Sequence, residues 1–219
     1  MLTIRRHFPR PDIRRFRDAP AGWVADANGR RGALDFRIRP VTRAKRFSGV
    51  ALTVWSRARD NLAPYAAIEF ATPGDVLVIA ADGYTEAAIV GDVLAGMARN
   101  KGVAAIVTDG MARDVEGLDA VGIPVFAQGL TPNSPWKDGP GEIGTPIALG
   151  GVPIAAGDLV VGDENGVVVV PQVRLDAVAA EIENVKAREA AMDAAVANGA
   201  TSQEWLTPLL AGDKVRYLD

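Results

Sequence analysis

The sequence predicts an α/β sandwich with a mixed sheet and a long C-terminal helix. Three observations lead to this prediction: apolar runs alternate with helical patterns over residues 47–126, short runs separated by glycine-rich turns follow over 147–170, and one long amphipathic segment spans 173–198. Strand–helix alternation is typical of parallel sheets, whereas tight turns between short strands favour antiparallel pairing. The pattern leaves the order of the strands open.

Each predicted element has a local signal. The run FSGVALTVW has the β-branched and aromatic composition of a strand. The apolar run Val103 to Val107 indicates a strand covered on both faces, and Lys101-Gly102 just before it ends a helix with a cation and a glycine. In chain order we expect a short helix over 20–28, a strand over 47–55, a helix over 61–71, a strand over 76–80, a helix over 91–101, a strand over 103–107 and a short helix that ends at 120.

Three regions are expected along the chain. Residues 1–18, interrupted by Pro9 and Pro11, form an N-terminal arm, residues 19–172 form the α/β core, and residues 173–219 form the C-terminal helix and tail. Within the core, the glycine- and proline-rich stretch 129–144 is long enough for a lid or a subunit contact. We expect the C-terminal region to make subunit contacts as well.

The composition excludes several kinds of chemistry. The chain contains no cysteine, which excludes disulfides, thiolate catalysis and zinc–thiolate sites. Its single histidine, His7, cannot build a Ser-His-Asp triad or a multi-histidine metal site within one chain. Any metal must therefore rest on carboxylate and water oxygens, which favours Mg²⁺ or Mn²⁺.

Charge is distributed unevenly. Residues 1–60 hold 15 Lys/Arg and 5 Asp/Glu, and residues 61–219 hold 9 and 22. A basic arm could contact nucleic acid, but these arginines alternate with apolar residues, which favours packing against acidic surface of the same chain or a neighbouring subunit. No apolar run reaches the ~20 residues of a membrane span, and the N-terminus lacks the apolar core of a signal peptide. We therefore expect a cytoplasmic protein without nucleic-acid or membrane partners.

The stretch Gly91 to Asp114 carries the candidate site. Ligands of open α/β sheets sit beyond the carboxyl ends of strands and at helix N-termini, so Asp92 to Leu94 and Arg113-Asp114 are expected to face one cleft. A guanidinium offers a planar fork to a carboxylate or enolate, and helix-terminal amides add donors for the same anion. The alternative interpretation is structural: a loop ion pair and a helix cap.

The spacing of Asp92, twenty residues and Arg113-Asp114 resembles the signature of the 4-hydroxy-4-methyl-2-oxoglutarate aldolase/oxaloacetate decarboxylase family. That family also contains the RraA-like regulators of ribonuclease E. The similarity extends over most of the chain between residues 18 and 198. The stretches that carry it are VADANGRRGALDFRIRP, SGVALTV, DNLAPYAAIEFATPGDVLVI, VGDVLAGMARNKGVAAIVTDGMARDVEGL, GIPVFAQGLTP and PIAAGDLVVGDENGVVVVP.

The resemblance implies a single-domain β/β/α swivelling-domain-like sandwich that assembles as a homotrimer or homohexamer. It also implies roles for individual residues. Arg113 would bind the carboxylate and enolate of a pyruvate unit, and Asp114 would ligate the divalent metal. Asp92 would orient a water on that metal, and the amides of Val93 and Leu94 would complete the anion site.

The family also supplies a glutamate from the C-terminal helix of an adjacent subunit. Glu189 is the nearest match in this chain, and Glu181 and Glu183 are alternatives.

The activity implied is a class II retro-aldol cleavage of a small keto acid, a 4-hydroxy-2-oxo acid, to pyruvate, with Mg²⁺ or Mn²⁺ as Lewis acid. Decarboxylation of oxaloacetate would reach the same enolate. A Schiff-base aldolase is not expected, because Lys101 and Lys137 lie in polar turns. The alternative function is that of a non-catalytic, RraA-like protein that binds an RNA-degradation partner.

Overall fold

The computed structural model describes residues 1–218 of the chain. The strands are β1 (Leu2–Ile4), β2 (Arg39–Pro40), β3 (Phe47–Ser56), β4 (Asp75–Ala80), β5 (Ala88–Val90), β6 (Ala105–Thr108), β7 (Met111–Ala112), β8 (Val125–Ala127), β9 (Gly129–Leu130), β10 (Gly141–Ile143), β11 (Ile147–Leu149), β12 (Val152–Ile154), β13 (Leu159–Asp163) and β14 (Gly166–Val170). The α-helices are α1 (Ala21–Ala27), α2 (Leu62–Phe70), α3 (Asp92–Asn100), α4 (Val115–Val121), α5 (Leu175–Ala197) and α6 (Leu206–Leu210).

A mixed sheet forms the centre of the molecule. Its strand order is β1-β10-β3-β4-β6-β8-β2, and β13 also pairs with β3 and carries β14 as its hairpin partner. The pairs β3–β4, β4–β6 and β6–β8 are parallel, whereas β10 and β13 run antiparallel to β3. The predicted mixed α/β sandwich with a long C-terminal helix is therefore confirmed.

Both faces of this sheet are buried. In β4 the side chains alternate between two apolar clusters: Leu77 and Ile79 belong to one, and Val76 and Val78 belong to the other. Successive side chains of a strand point to opposite faces, so a strand covered on both sides must be apolar at every position. This explains the continuous apolar runs at 76–80 and 103–107.

A smaller sheet of three strands is parallel throughout. Its order is β5-β7-β9, with Val90 opposite Ala112 and Ala112 opposite Leu130. The sequence did not indicate these strands, because two or three residues are too few to show a period. The glycine- and proline-rich stretch 129–144 also contains two strands: β9 begins it, and β10 near its end joins the central sheet.

The N-terminal arm contributes to the central sheet. Its first strand, β1, pairs in parallel with β10, and the Phe16 side chain is fully buried. Arg10 forms an ion pair with the buried Asp75, and Arg15 pairs with Asp176 at 2.6 Å. The basic arm thus packs on acidic groups of its own chain, as its alternating pattern predicted.

The chain divides into two compact units, residues 1–182 and the residues from Glu183 onward. In the first unit the beginning of α5 buries Leu175, Val178 and Ile182 at helical spacing. From 190 to 200 every side chain is exposed, so the amphipathic pattern is limited to the first half of the helix. Within residues 1–218 no helix is both long and apolar enough to cross a membrane.

Candidate functional site

The small parallel sheet brings the candidate residues together. Asp92 begins α3 directly after β5, and Arg113-Asp114 follow β7. The Arg113 amide donates to the carbonyl of Val90 at 3.0 Å, and the Thr131 amide donates to the carbonyl of Ala112 at 3.0 Å. The carboxyl ends of all three strands therefore lie at one edge, where the sequence predicted a single cleft.

A cleft with a volume of about 120 Å³ lies at this edge. Five of the residues that the sequence predicted for the site line it, namely Asp92, Val93, Leu94, Arg113 and Asp114. All of the lining residues belong to the unit of residues 1–182. The lining residues are Asn61, Tyr65, Ala88, Ile89, Val90, Gly91, Asp92, Val93, Leu94, Arg113, Asp114, Ser134, Pro135 and Lys137.

The Arg113 side chain is held by two neighbours. Its Nε lies 3.1 Å from Asp114 Oδ2, and its Nη1 donates to Ser134 Oγ at 2.6 Å. A guanidinium has five N–H donors in one plane, so these two contacts fix its orientation and leave donors for a ligand. With 37% of its side chain exposed, Arg113 can reach a small anion in the cleft.

Asp114 has an uncommon backbone conformation. Its φ of 59° and ψ of 47° lie in the left-handed region, at the residue that precedes α4. Aspartate tolerates this region better than most side chains, but the conformation still carries strain. It turns the chain from β7 into α4 and leaves the carboxylate 42% exposed beside Arg113.

The beginning of α3 differs from a simple anion site. The amide of Val93 donates to Oδ1 of Asp92 at 2.7 Å, so the carboxylate already occupies one of the two amides predicted to hold the anion. The Leu94 side chain is buried in the core and anchors this turn of the helix. Asp92 therefore accepts a helix N-terminal amide and lines the cleft at the same time.

The residues fit a divalent cation with a mostly aqueous shell. Among residues 1–218 no three Asp, Glu, His or Cys side chains gather as a ready-made metal site. Mg²⁺ commonly binds proteins through one or two carboxylates and keeps several waters. The half-exposed carboxylate of Asp114, with Asp92 lining the same cleft, matches that type of donor set.

The candidate glutamates lie on α5. Glu181 belongs to the first unit and is half-buried, and it does not line the cleft. Glu183 and Glu189 belong to the second unit, where Glu183 is exposed and Glu189 is half-buried.

Several cleft residues were missed by the sequence reasoning. Asn61 and Tyr65 come from the start of α2, and Ser134, Pro135 and Lys137 come from the segment between β9 and β10. Lys137 Nζ lies 5.7 Å from the Tyr65 ring centroid, so the cleft holds a second cation besides Arg113. The glycine- and proline-rich composition of 129–144 was the only signal for this wall.

These features define a class of protein: an α/β sandwich whose small parallel sheet brings a guanidinium, two carboxylates and a helix N-terminus to one cleft. The family model described as "RraA-like: Aldolase/RraA" matches residues 17–169. A protein of Halalkalibacterium halodurans named "Putative 4-hydroxy-4-methyl-2-oxoglutarate aldolase" is 38% identical over 186 residues, which are 85% of this chain and 89% of that protein.

Solved structures show the same fold. An uncharacterized protein from Pseudomonas syringae pv. tomato superposes with a TM-score of 0.77 at 26% identity, covering 89% of this chain and 97% of that one. Streptomyces coelicolor RraAS2, described as an unusual member of the RNase ES inhibitor RraA family, gives a TM-score of 0.74 at 29% identity, covering 84% and 98%. The protein belongs to the RraA-like family, as its sequence signature predicted.

Proposed function

We propose that the protein is a carbon–carbon lyase: a class II aldolase that cleaves 4-hydroxy-2-oxo acids of the 4-hydroxy-4-methyl-2-oxoglutarate type to pyruvate and decarboxylates oxaloacetate. The observation that carries this proposal is the meeting of Arg113, Asp114 and Asp92 in one cleft. The name of the Halalkalibacterium relative, which is 38% identical, supports the same reaction class.

Arg113 binds the pyruvate half of the substrate. Its guanidinium, fixed by Asp114 and Ser134, offers donors to the C1 carboxylate and to the oxygen at C2. Negative charge grows on that oxygen when the enolate forms, so the interaction is stronger in the transition state than in the ground state.

Asp114 would hold the divalent cation, Mg²⁺ or Mn²⁺, with water completing the coordination shell. When bound, this cation supplies Lewis acidity at the keto oxygen. Asp92, which lines the same cleft, orients water for proton transfer. The left-handed backbone of Asp114 keeps its carboxylate beside Arg113, and both side chains can then engage one small keto acid.

The two reactions pass through the same intermediate, pyruvate enolate. In the aldol cleavage, a base removes the proton of the C4 hydroxyl, the C3–C4 bond breaks, C4 becomes a carbonyl and the electron pair remains as pyruvate enolate. In oxaloacetate, the C3–C4 bond breaks with loss of CO₂ and leaves the same enolate. Protonation at C3 then gives pyruvate in both cases.

We further propose that the active form is a homotrimer or homohexamer, in which a neighbouring subunit supplies a glutamate for proton transfer. Glu189 is our first choice, with Glu181 and Glu183 as alternatives.

The direct test is to measure pyruvate release from oxaloacetate and from 4-hydroxy-4-methyl-2-oxoglutarate, in the presence of Mg²⁺ and after exhaustive chelation with EDTA. We expect release of pyruvate from both substrates, lost on chelation and restored by Mg²⁺ or Mn²⁺. Activity that survives chelation would exclude the class II reaction. Sodium chloride at matched ionic strength controls for nonspecific salt effects on the assay.

A second function is supported by the resemblance to Streptomyces coelicolor RraAS2, which is described as belonging to the RNase ES inhibitor RraA family. The protein would then be a regulator that binds a ribonuclease. Absence of both lyase activities together with tight binding to an RNase E-type ribonuclease would favour this alternative.

A further inference from the structure

A buried carboxylate, that of Asp60, lies just outside the cleft. Asp60 is 0% exposed, and its two oxygens accept three backbone N–H groups. Oδ1 accepts from Leu62 at 2.9 Å, and Oδ2 accepts from Asp138 at 2.7 Å and from Gly139 at 3.0 Å. The Arg57 guanidinium lies 3.6 Å from Oδ2. One side chain therefore joins the N-terminus of α2 to the segment 134–139.

Both of the joined elements form walls of the cleft. Asn61 and Tyr65 line it from the side of α2, and Ser134 and Lys137 line it from the segment 134–139. Two backbone hydrogen bonds reinforce the junction: the Trp136 amide donates to the carbonyl of Arg59 at 2.8 Å, and the Asn61 amide donates to the carbonyl of Trp136 at 3.0 Å. The Asp60 side chain and these two backbone hydrogen bonds thus join two walls of one site.

The junction requires a carboxylate. Three N–H donors converge on Asp60, and an ionised carboxylate can accept from all of them because it has two acceptor oxygens and no donor. Asparagine keeps the shape but has one oxygen, and its NH₂ group would face backbone N–H donors. Buried donors without acceptors are costly, so the segment is expected to move away from an amide at this position.

We propose that Asp60 is a positioning residue of the lyase cleft, an inference that rests on the proposed function. It holds the segment 134–139 so that Ser134 keeps the Arg113 guanidinium in place through the 2.6 Å hydrogen bond and Lys137 stays at the rim. Asp60 itself does not line the cleft, so it acts only through these two side chains.

The test compares Asp60→Asn with Asp158→Asn. Asp158 is the matched control, since it is also buried, at 4% exposed, and accepts backbone N–H groups from Ala155 at 2.8 Å and Gln172 at 3.0 Å, away from the cleft. At a temperature where both variants are folded, we expect kcat/KM for oxaloacetate to fall about tenfold in Asp60→Asn and to stay within about twofold of the parent in Asp158→Asn.

A double-mutant cycle separates positioning from loss of stability. If Asp60 acts through Ser134, the change Ser134→Ala lowers kcat/KM in the parent but has little further effect in Asp60→Asn. Additive effects of the two changes, or equal losses in Asp60→Asn and Asp158→Asn, would overturn the proposal. If Asp60→Asn does not fold, the test is kcat/KM of Ser134→Ala in the otherwise unchanged protein. An unchanged kcat/KM in that variant would contradict the inference.

Amide hydrogen exchange tests the role of Asp60 independently of enzymatic activity. The amides of Asp138 and Gly139 donate to Asp60, so exchange in a peptide covering 134–139 should accelerate in Asp60→Asn and not in Asp158→Asn. If the parent protein releases no pyruvate, the proposed function is wrong. The hydrogen-exchange comparison then still tests whether Asp60 holds the segment 134–139. Unchanged exchange over 134–139 would show that Asp60 does not hold the segment.

Discussion

Gly117 of α4 packs directly against the carboxylate of Asp92. A β-carbon at position 117 would lie 2.5 Å from Asp92 Oδ2, closer than nonbonded atoms approach. The absence of a side chain there lets the first turn of α4 approach the first turn of α3. The close approach of α4, which follows Asp114, to α3, which begins at Asp92, therefore requires glycine at position 117.

The first prediction follows from this contact. Gly117→Ala should displace Asp92 and lower kcat for pyruvate release by about tenfold or more, because a shift of about 1 Å in a catalytic group can cost up to a hundredfold. Gly96→Ala, in α3, is the control: its β-carbon would meet only Val121, at 3.8 Å. Steady-state kinetics of both variants check this. Equal activity in the two would mean that the position of Asp92 does not matter.

The second prediction concerns Arg113. Arg113→Ala should lower kcat by roughly a hundredfold, since one lost oxyanion donor is typically worth ~3 kcal/mol, and it should also raise KM because the same group binds the substrate carboxylate. Arg113→Lys should restore little, as an ammonium cannot make both contacts of the planar fork, to Asp114 and Ser134. Near-parental kinetics in Arg113→Lys would contradict the proposed geometry.

The third prediction concerns the metal. Asp114→Ala should raise the Mg²⁺ concentration needed for half-maximal pyruvate release by about tenfold or more, because a direct carboxylate ligand is lost. Glu116→Gln, an exposed acid in the first turn of α4, is the control and should leave the Mg²⁺ titration unchanged. Calorimetric titration with Mg²⁺ alone measures binding independently of turnover. Similar titrations for both variants would place the metal elsewhere.

The fourth prediction concerns the neighbouring subunit. Light scattering should give the mass of a trimer or a multiple of it, and Glu189→Gln should lower kcat by ~10²-fold or more if this glutamate transfers a proton. Mixing the two impaired variants, Arg113→Ala and Glu189→Gln, should raise activity above that of either one, because some sites in a mixed oligomer would contain both an intact Arg113 and an intact Glu189. Glu181→Gln and Glu183→Gln serve as comparisons. A fully active monomer would exclude any glutamate from another subunit.

The fifth prediction concerns pH and stability. Burial raises the pKa of Asp109 above its ordinary value of 3.8, although its oxygens accept from the amides of Ala81 and Gly83. A carboxyl whose folded pKa is raised stabilises the fold fully below its unfolded pKa and loses that contribution as pH rises through the folded pKa.

The free energy of unfolding of the parent, relative to that of Asp109→Asn, should accordingly decrease as the pH rises from about 4 through the raised pKa of folded Asp109. Urea unfolding midpoints of both proteins between pH 4 and 7 measure the difference. An increase in the stability of the parent relative to the variant as the pH rises would contradict a raised pKa of Asp109.

The order of the site along the chain was predictable because its signals are local. An apolar run at 103–107, a helix that ends at Lys101-Gly102 and the adjacent Arg113-Asp114 are each readable within a few residues. These local patterns placed Asp92 and Arg113 at a helix N-terminus and a strand end, and general rules for α/β sheets then predicted that they meet. The absence of cysteine and the single histidine likewise led to the prediction that any metal would be bound through oxygens.

The other wall of the cleft was not predictable because it depends on long-range pairing. Strands of two or three residues have no detectable period, so β5, β7 and β9 become visible only when they are paired. Asp60 contacts Asp138 across 78 positions of the sequence, and no local pattern marks either residue as a partner of the other.

The sequence by itself determined the alternation of helices and strands, the family and the acidic and basic groups of the central stretch, since these depend on residue type and spacing. Only the tertiary structure decided that Ser134 holds Arg113, that Val93 donates to Asp92 and that Gly117 positions that carboxylate. Such contacts form when the central sheet, the small sheet and their helices are packed to within fractions of an ångström, and residue spacing does not encode distances of that kind.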